Sequence, residues 1–256
     1  MKKLLQKIYL LWGLSVFGLL FLVFLPLNAF IIFFPEKKLH FMAYYTHWAN
    51  SWLIYILIGI PVKIVRTKPL CRTQQYIYCA NHTSYLDTPV LATIANRFMV
   101  FLGKDDLAKP PLFGWMFRNL HIPVYRGKRG NWELVFKAAG EAILRGHSLG
   151  VFPEGTMNKK PPMPARFKKG AFLIAIQHQV PIVPVSIINH WKVWPKLAPY
   201  LCWCPVMVVQ HAPIETKGMT EADIPLLMEK VYQVIAGGIE TYAPEYFIAE
   251  KKSYPV

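Results

Sequence analysis

The stretch from Gly146 to Thr156, GHSLGVFPEGT, joins the end of a helix to a strand and then to a polar turn. Before it, Trp132–Arg145 carries an apolar stripe at helical spacing, and Gly146 follows where a helix C-terminal cap belongs. Ser148–Phe152 is a short apolar run that predicts a buried strand, which Pro153 ends. A helix that runs directly into a buried strand is typical of a layered α/β domain.

Short apolar runs of the same kind recur along the chain, at Gln74–Ala80, Phe98–Leu102, Ile122–Tyr125, Ile182–Ile188 and Val206–Gln210. Helical patterns lie between them, and a further one covers Thr220–Ala236. This alternation predicts that residues 62–256 form one α/β domain around a central mixed sheet.

The N-terminal segment, residues 1–61, has a different character. Ile8–Phe34 contains no charged residue and is long enough to cross a hydrocarbon core of about 30 Å. A second run, Phe41–Ile60, is rich in aromatic residues, as in helices that lie at a membrane interface. We therefore expect a hydrophobic helical hairpin in residues 1–61. Its length fits either a hairpin that crosses the bilayer or one that inserts only partway into it. Lysines and arginines flank both ends of the hairpin, which places the rest of the chain on the cytosolic side of a cytoplasmic membrane.

Composition narrows the classes of partner. The chain has 29 Lys and Arg against 14 Asp and Glu, a net charge of +15, and 54% of its residues are hydrophobic. Apolar and basic character together favour an anionic membrane surface or a phosphorylated ligand, and no nucleic-acid-binding motif is present. The four cysteines, Cys71, Cys79, Cys202 and Cys204, form no C-x-x-C pair and have no histidine at zinc-ligand spacing. The sequence therefore predicts reduced thiols, no metal site and no nucleic-acid partner.

The segment Asn81–Asp87, NHTSYLD, follows the predicted strand Gln74–Ala80 directly. Pro89 fits the first turn of a following helix, so His82 and Asp87 are expected on a strand-to-helix loop. On such a loop the carboxylate can accept a hydrogen bond from one imidazole nitrogen and leave the other as a proton acceptor, which a general base requires. The alternative is that Asp87 only caps the helix and His82 is an ordinary loop histidine.

A second polar loop follows the strand Ser148–Phe152. Glu154 comes after the proline that ends the strand, and Gly155 allows a sharp turn or a close approach to a ligand. Glu154 can bind hydroxyl groups of a polar substrate there, or it is an exposed carboxylate on a surface turn.

Cations cluster at the predicted strand ends, where ligand crevices of open α/β sheets form. They are suited to a phosphate monoester, which favours an arginine fork with help from lysine. The cations concerned are Lys104, Arg126, Lys159, Lys160, Arg166, Lys168 and Lys169.

Taken in order, these segments resemble the four motif blocks of the glycerolipid acyltransferase family, which includes 1-acyl-glycerol-3-phosphate acyltransferases. The blocks are NHTSYLD (81–87), LGKDDL (102–107) with VYRG (124–127), FPEGT (152–156) and VPIVPV (180–185), and RFKKGA (166–171) matches the family's usual continuation. The resemblance runs from about Tyr76 to Asn189.

This resemblance implies direct acyl transfer from an acyl thioester, carried by acyl carrier protein or coenzyme A, to the sn-2 hydroxyl of lysophosphatidic acid. The product is phosphatidic acid, and no cofactor is needed beyond the acyl donor. His82, oriented by Asp87, would act as the general base. The residues implied to bind the acceptor are Glu154, Gly155 and Thr156, with Lys104, Arg126 and Arg166 as candidates for its phosphate. The residues implied to line the acyl path are Val180, Pro181, Ile182 and Pro184.

One departure from the family concerns the residue after E-G-T, which is usually arginine and here is Met157. If that arginine grips phosphate, this chain uses another cation, such as Arg166, or accepts a lysolipid with a different head group.

Two other readings differ in class. GHSLG matches the G-x-S-x-G nucleophile elbow of serine esterases, but an elbow needs a strand before the serine and a helix after it. Here the order is reversed, and Glu154 is the only acidic residue between Ser148 and the last histidine, His211. The third reading is a membrane-anchored scaffold without catalysis.

Overall fold

The computed structural model of the protein describes residues 2–34, 40–125 and 131–246. Its strands are β1 (Val62–Arg66), β2 (Ile77–Ala80), β3 (Met99–Lys104), β4 (Ile122–Val124), β5 (Ser148–Val151), β6 (Ile182–Ile188) and β7 (Val206–Gln210). Its α-helices are α1 (Lys2–Phe33), α2 (His40–Ile58), α3 (Asp87–Ile94), α4 (Pro111–Leu120), α5 (Asn131–Leu144), α6 (Gly170–Gln177), α7 (His190–Val193) and α8 (Ile224–Tyr242).

The strands form one seven-stranded sheet in the order β1-β7-β6-β2-β5-β3-β4. β6 and β7 are antiparallel, and every other neighbouring pair is parallel, so the predicted mixed sheet is confirmed. Strands β2 to β6 therefore all end at the same side of the sheet, which we call the carboxyl edge. Ligand crevices of open α/β sheets form outside this edge.

The transition at Gly146 is as the sequence predicts. Gly146 adopts a left-handed backbone with φ of +89°, which glycine reaches without a steric penalty. Its N–H donates to Ile143 O at 2.8 Å, and the N–H of His147 donates to Ala142 O at 3.0 Å, which closes the end of α5. β5 then starts at Ser148, and all its residues are buried, as expected for a strand covered on both faces.

Helices cover both faces of the sheet. One buried cluster joins the sheet to α5, α6 and α8 through residues such as Ala139, Phe172 and Ile235. The other joins it to α1, α2 and α3 through residues such as Leu20 and Leu91. The hydrophobic core is thus continuous with the N-terminal helices.

Helices α1 and α2 run antiparallel, since the Tyr9 hydroxyl donates to Ile58 O at 2.6 Å and Trp12 Nε1–H donates to Leu57 O at 3.0 Å. α1 is long and apolar enough to cross a membrane. Large apolar side chains point away from the protein on both helices, among them Leu11, Leu22, Val23 and Phe33 of α1 and Phe41, Trp48 and Ile56 of α2. The predicted boundary at residue 61 stays a prediction, although the two segments share one core.

Sequence reasoning did not identify β1 or the helices α4, α6 and α7. β1 is an edge strand that pairs only with β7 among the described strands, and its charged residues Lys63 and Arg66 interrupt the apolar run that marks the other strands. α4 starts at Pro111 and is 10 residues long, and Gly114 interrupts its apolar residues, so its helical pattern was not recognised.

Candidate active site

Three strands of the sheet bring polar side chains to the carboxyl edge. His82 follows β2, Glu154 follows β5 and His190 follows β6. We call residues 81–87 the base loop and residues 153–169 the acceptor loop. The two loops touch through backbone as well, because the N–H of Asn158 donates to His82 O at 2.6 Å.

The base loop holds His82 and Asp87 in direct contact. His82 Nδ1 lies 2.9 Å from Asp87 Oδ2, and the backbone N–H groups of Thr83 and Ser84 donate to the same oxygen at 2.5 and 2.8 Å. Asp87 is the first residue of α3 and not part of the preceding loop as expected, because the chain turns tightly enough for its carboxylate to collect these donors. The carboxylate therefore organises the loop in addition to orienting the imidazole.

The electrostatic state of Asp87 follows from its partners. Burial by itself raises the pKa of this carboxyl, but hydrogen bonds from His190 and His82 outweigh it and lower the pKa to about 2. Asp87 is therefore ionised at physiological pH and accepts the Nδ1–H of His82. This fixes the tautomer in which His82 Nε2 carries a lone pair.

His82 is only partly covered. Its side chain is 19% exposed, whereas that of Asp87 is 0% exposed. One face of the imidazole stacks on Phe152, with ring centroids 4.0 Å apart and an interplanar angle of 16°. The ring is thus held by a carboxylate and an aromatic face while part of it stays exposed, so it can accept a proton from a hydroxyl group bound beside it.

Glu154 is buried, with 3% exposure, so the surface-turn alternative for this residue is wrong. Its Oε1 accepts the backbone N–H of His82 at 2.7 Å, and its Oε2 accepts the N–H of Ala165 at 2.9 Å. Burial raises the pKa of this carboxyl to about 7, although these two hydrogen bonds partly offset the effect. One carboxylate oxygen thus ties the acceptor loop to the base loop and the other closes the acceptor loop on itself. Binding of acceptor hydroxyls by Glu154 stays a prediction.

The turn after Glu154 leaves little space. Gly155 has φ of +69°, and a Cβ placed there would lie 2.9 Å from Lys168 Cδ. The next residue, Thr156, receives a hydrogen bond from Lys196 Nζ at 3.2 Å. The positive φ of Gly155 favours glycine at this turn, whereas the Lys168 side chain can move away from a larger residue.

The predicted phosphate-binding cations lie less close to one another than His82, Asp87 and Glu154 do. Lys104 ends β3 and forms an exposed ion pair with Asp106, which also pairs with Lys109. Arg166 is exposed and lies next to Ala165 of the acceptor loop. Within residues 2–34, 40–125 and 131–246, neither cation contacts His82 or Glu154 through a hydrogen bond or ion pair. Arg126 lies outside the described residues.

The predicted acyl-path residues lie away from His82. Val180 and Pro181 precede β6, and Ile182 pairs with Ile77 at the start of β2. By the rise along a strand this is roughly 15 Å from His82, at the opposite edge of the sheet. Pro184 pairs with Cys79 inside the sheet. The acyl-path role stays a prediction, and all four residues are buried in this structure.

Ser148 is unlike an elbow nucleophile. It is fully buried at the amino end of β5, where its Oγ accepts the N–H of Tyr76 at 3.2 Å and donates to Asn96 Oδ1 at 3.3 Å. Its hydroxyl bonds to elements at the edge of the sheet opposite His82. Ser148 therefore has a structural role in β5.

Sequence reasoning missed three residues of the site: Tyr55, His190 and Lys196. His190 is wholly buried and its Nδ1 lies 2.6 Å from Asp87 Oδ1. Tyr55 of α2 lies 3.3 Å from the other ring nitrogen of His190. A usable signal existed for His190, because it follows a buried strand just as His82 and Glu154 do. No comparable pattern marks Tyr55 or Lys196.

Comparison with known proteins matches the chain to one family. The sequence model of the Acyltransferase family matches residues 61–188, half of the chain. The 1-acyl-sn-glycerol-3-phosphate acyltransferase of Saccharomyces cerevisiae is 31% identical over 199 residues, which cover 76% of this chain and 65% of the yeast protein. The chloroplastic 1-acyl-sn-glycerol-3-phosphate acyltransferase BAT2 of Brassica napus is 28% identical over 189 residues, covering 73% of this chain and 54% of that protein.

The chain thus spans about half the length of the chloroplastic relatives BAT2 and LPAT1, since LPAT1 of Arabidopsis thaliana is covered to 56%. Among solved structures, the 1-acyl-sn-glycerophosphate acyltransferase PlsC of Thermotoga maritima superposes with a TM-score of 0.76 at 24% identity, and both chains are covered completely. That likeness shows a shared fold. The family match covers strands β1 to β6 and both polar loops, and it establishes that the chain belongs to the Acyltransferase family.

Proposed function

We propose that the protein is a membrane-bound 1-acylglycerol-3-phosphate O-acyltransferase. It would transfer a fatty acyl group from acyl carrier protein or coenzyme A to the sn-2 hydroxyl of lysophosphatidic acid, giving phosphatidic acid. The observation that carries the proposal is the contact of 2.9 Å between His82 Nδ1 and the buried carboxylate of Asp87. Membership of the family and the names of the relatives support the reaction class.

The proposed mechanism needs no acyl-enzyme. His82 Nε2 takes the proton from the acceptor hydroxyl as its oxygen attacks the thioester carbonyl carbon. The C–O bond forms, the C–S bond breaks, and the thiolate leaves with the proton that the His82 imidazolium returns. Asp87, ionised because its pKa is about 2, stabilises the imidazolium between these two proton transfers.

For the acceptor phosphate we propose Lys196 as the principal cation. Met157, where the family usually has arginine, is 8% exposed and carries no charge. Lys196 is half-buried and already reaches Thr156 of the acceptor loop, whereas Lys104 is exposed and shares Asp106 with Lys109. A lysine in this position supplies the charge that a phosphate monoester requires, without the bidentate geometry of arginine.

We place the protein at a cytoplasmic membrane, with the α/β domain facing the cytosol. The apolar surfaces of α1 and α2 support contact with lipid, and the net charge of +15 supports an anionic membrane surface. Lysophosphatidic acid would then reach the site from the bilayer, while the acyl thioester arrives from the cytosol.

Product analysis tests the proposal. Purified protein in detergent or vesicles is incubated with lysophosphatidic acid, lysophosphatidylcholine, lysophosphatidylethanolamine and a lyso-aminolipid, each with acyl carrier protein and coenzyme A thioesters. We expect phosphatidic acid, identified by mass, as the main product. A product formed only from another lysolipid would identify a different acceptor, which is the alternative that Met157 raises. Hydrolysis without any lipid product would contradict acyl transfer.

A further inference from the structure

A wholly buried histidine outside the family's motif blocks touches the side of Asp87 that His82 leaves free. His190 and Asp87 both have 0% side-chain exposure, and His190 Nδ1 lies 2.6 Å from Asp87 Oδ1. We propose that His190, held in place by Tyr55, is a positioning residue that fixes the Asp87 carboxylate and through it the imidazole of His82. This inference rests on the proposed function, in which His82 is the base.

The fold delivers His190 to this position at the end of β6. Asn189, directly after the strand, has a left-handed backbone with φ of +69°, a conformation that asparagine tolerates better than most residues. The chain then forms the short helix α7, which starts at His190. The imidazole is thereby turned back toward the base loop, although 103 positions separate His190 from Asp87.

The two oxygens of Asp87 have separate sets of donors. Oδ2 receives the Nδ1–H of His82 and the backbone N–H groups of Thr83 and Ser84, whereas Oδ1 faces only the ring of His190 among the contacts of the described residues. The side-chain torsion that rotates a carboxylate has broad, shallow minima. A donor on Oδ1 therefore fixes the plane of the carboxylate, and that plane sets the direction in which His82 Nε2 points.

Tyr55 holds the far side of His190. Its hydroxyl lies 3.3 Å from His190 Nε2 and donates to Leu86 O at 2.7 Å, and the two rings are stacked with an interplanar angle of 17°. Tyr55 is itself 1% exposed and belongs to α2 of the N-terminal hairpin. The hairpin thus contributes a side chain to the packing of the active site in addition to its apolar outer surface.

Two polar substitutions separate the contacts of His190. In His190→Asn the amide nitrogen takes the place of Nδ1 and keeps the donor to Asp87, while in His190→Gln it takes the place of Nε2 and keeps only the contact with Tyr55. We expect kcat of His190→Asn to stay within about threefold of wild type and kcat of His190→Gln to fall about tenfold or more, with the KM for lysophosphatidic acid unchanged in both. Circular dichroism and the amount of protein recovered in membranes give the folded fraction to which kcat is normalised.

Tyr55→Phe supplies a second measurement that does not alter the contact with Asp87 directly. It keeps the stacked ring and the donor from His190 to Asp87 and removes only the hydroxyl, so we expect kcat to fall no more than about threefold at unchanged KM, as in His190→Asn. Equal losses in His190→Asn and His190→Gln, or an unchanged kcat in His190→Gln, would overturn the positioning role. His82→Ala distinguishes the proposed role of His82 from that of His190. Activity that survives in this variant refutes His82 as the base, whatever the His190 variants do.

Discussion

The base loop and the acceptor loop lie side by side at the carboxyl edge of the sheet, but they are built differently. In the base loop the functional carboxylate is fully buried and both of its oxygens accept hydrogen bonds from fixed donors. In the acceptor loop only Glu154 is held in this way, and the charged groups around it, Arg166, Lys168 and Lys169, are exposed. Under the proposed function, proton transfer uses the carboxylate that is held at both oxygens, while the head group meets the loop whose cations are exposed. The departure at Met157 falls in this second loop.

The largest effect is expected from Asp87→Asn. The amide can no longer hold the Nδ1–H tautomer of His82, so Nε2 loses its lone pair for the acceptor proton, and kcat should fall about 10²- to 10⁴-fold. The measurement is the initial rate of phosphatidic acid formation at saturating substrates.

Ser148→Ala is the matched control for this variant, because Ser148 is as buried as Asp87 but bonds only to Tyr76 and Asn96 at the other edge of the sheet. Its kcat should stay within about twofold of wild type, while its unfolding temperature falls because the N–H of Tyr76 loses its acceptor. Loss of all activity in Ser148→Ala would instead restore the esterase reading.

In the acceptor loop, Lys196→Gln should act on binding. Removing an ammonium group that faces the phosphate is expected to raise the KM for lysophosphatidic acid about tenfold while kcat changes little. Lys217→Gln, an exposed lysine on the turn before α8, is the control for loss of one positive charge and should leave both constants unchanged. A fall in kcat at constant KM would place Lys196 in the chemical step. It would contradict the proposal that the base loop acts in catalysis and the acceptor loop in binding.

The pH dependence of acceptor binding reports on Glu154. Its pKa is raised to about 7, so the carboxylate gains a proton as the pH falls through neutrality, and one oxygen then no longer accepts a backbone N–H. We expect the KM for the acceptor to rise about threefold to tenfold between about pH 8 and about pH 6. Glu154→Gln has one acceptor oxygen at every pH, so its KM should be high and lack this dependence. A wild-type KM with the same pH profile as the variant would refute the linkage.

The smallest effect is expected from restoring the family's arginine. In the Lys196→Gln background, Met157→Arg should lower the KM for lysophosphatidic acid about threefold, because the guanidinium again offers a charge to the phosphate. The gain is limited because Met157 is packed in the interior and the longer side chain must leave it. Titration of initial rates against lysophosphatidic acid in single and double variants measures the recovery, and a further rise in KM would favour a different head group.

Much of the fold could be predicted from the sequence, since local patterns determine it. The strands β2, β5, β6 and β7 are short, mainly apolar runs, and Gly146 marks the end of α5. Apolar runs and cap residues were therefore sufficient to locate these elements. β1 was not recognised as a strand because Lys63 and Arg66 interrupt its apolar residues. Within the site, His82 and Asp87 were found because the base loop brings them together over a short stretch of chain.

The remaining site residues could not be found in this way because their contacts join distant parts of the chain. Lys196 is 40 positions from Thr156, and His190 is 135 positions from Tyr55. Their proximity depends on strand order in the sheet and on how α2 packs, neither of which leaves a fixed spacing in the sequence. Glu154 was located correctly, but its two backbone partners became clear only from the fold.

The most direct test of the central claim, that the base loop carries the chemical step and the acceptor loop the binding, is to measure His82→Ala in two ways at once. Lysophosphatidic acid binding is titrated at equilibrium, and phosphatidic acid formation is followed by mass on the same preparation. The account predicts binding within about threefold of wild type and turnover reduced at least about 10²-fold. Turnover within about tenfold of wild type would contradict it.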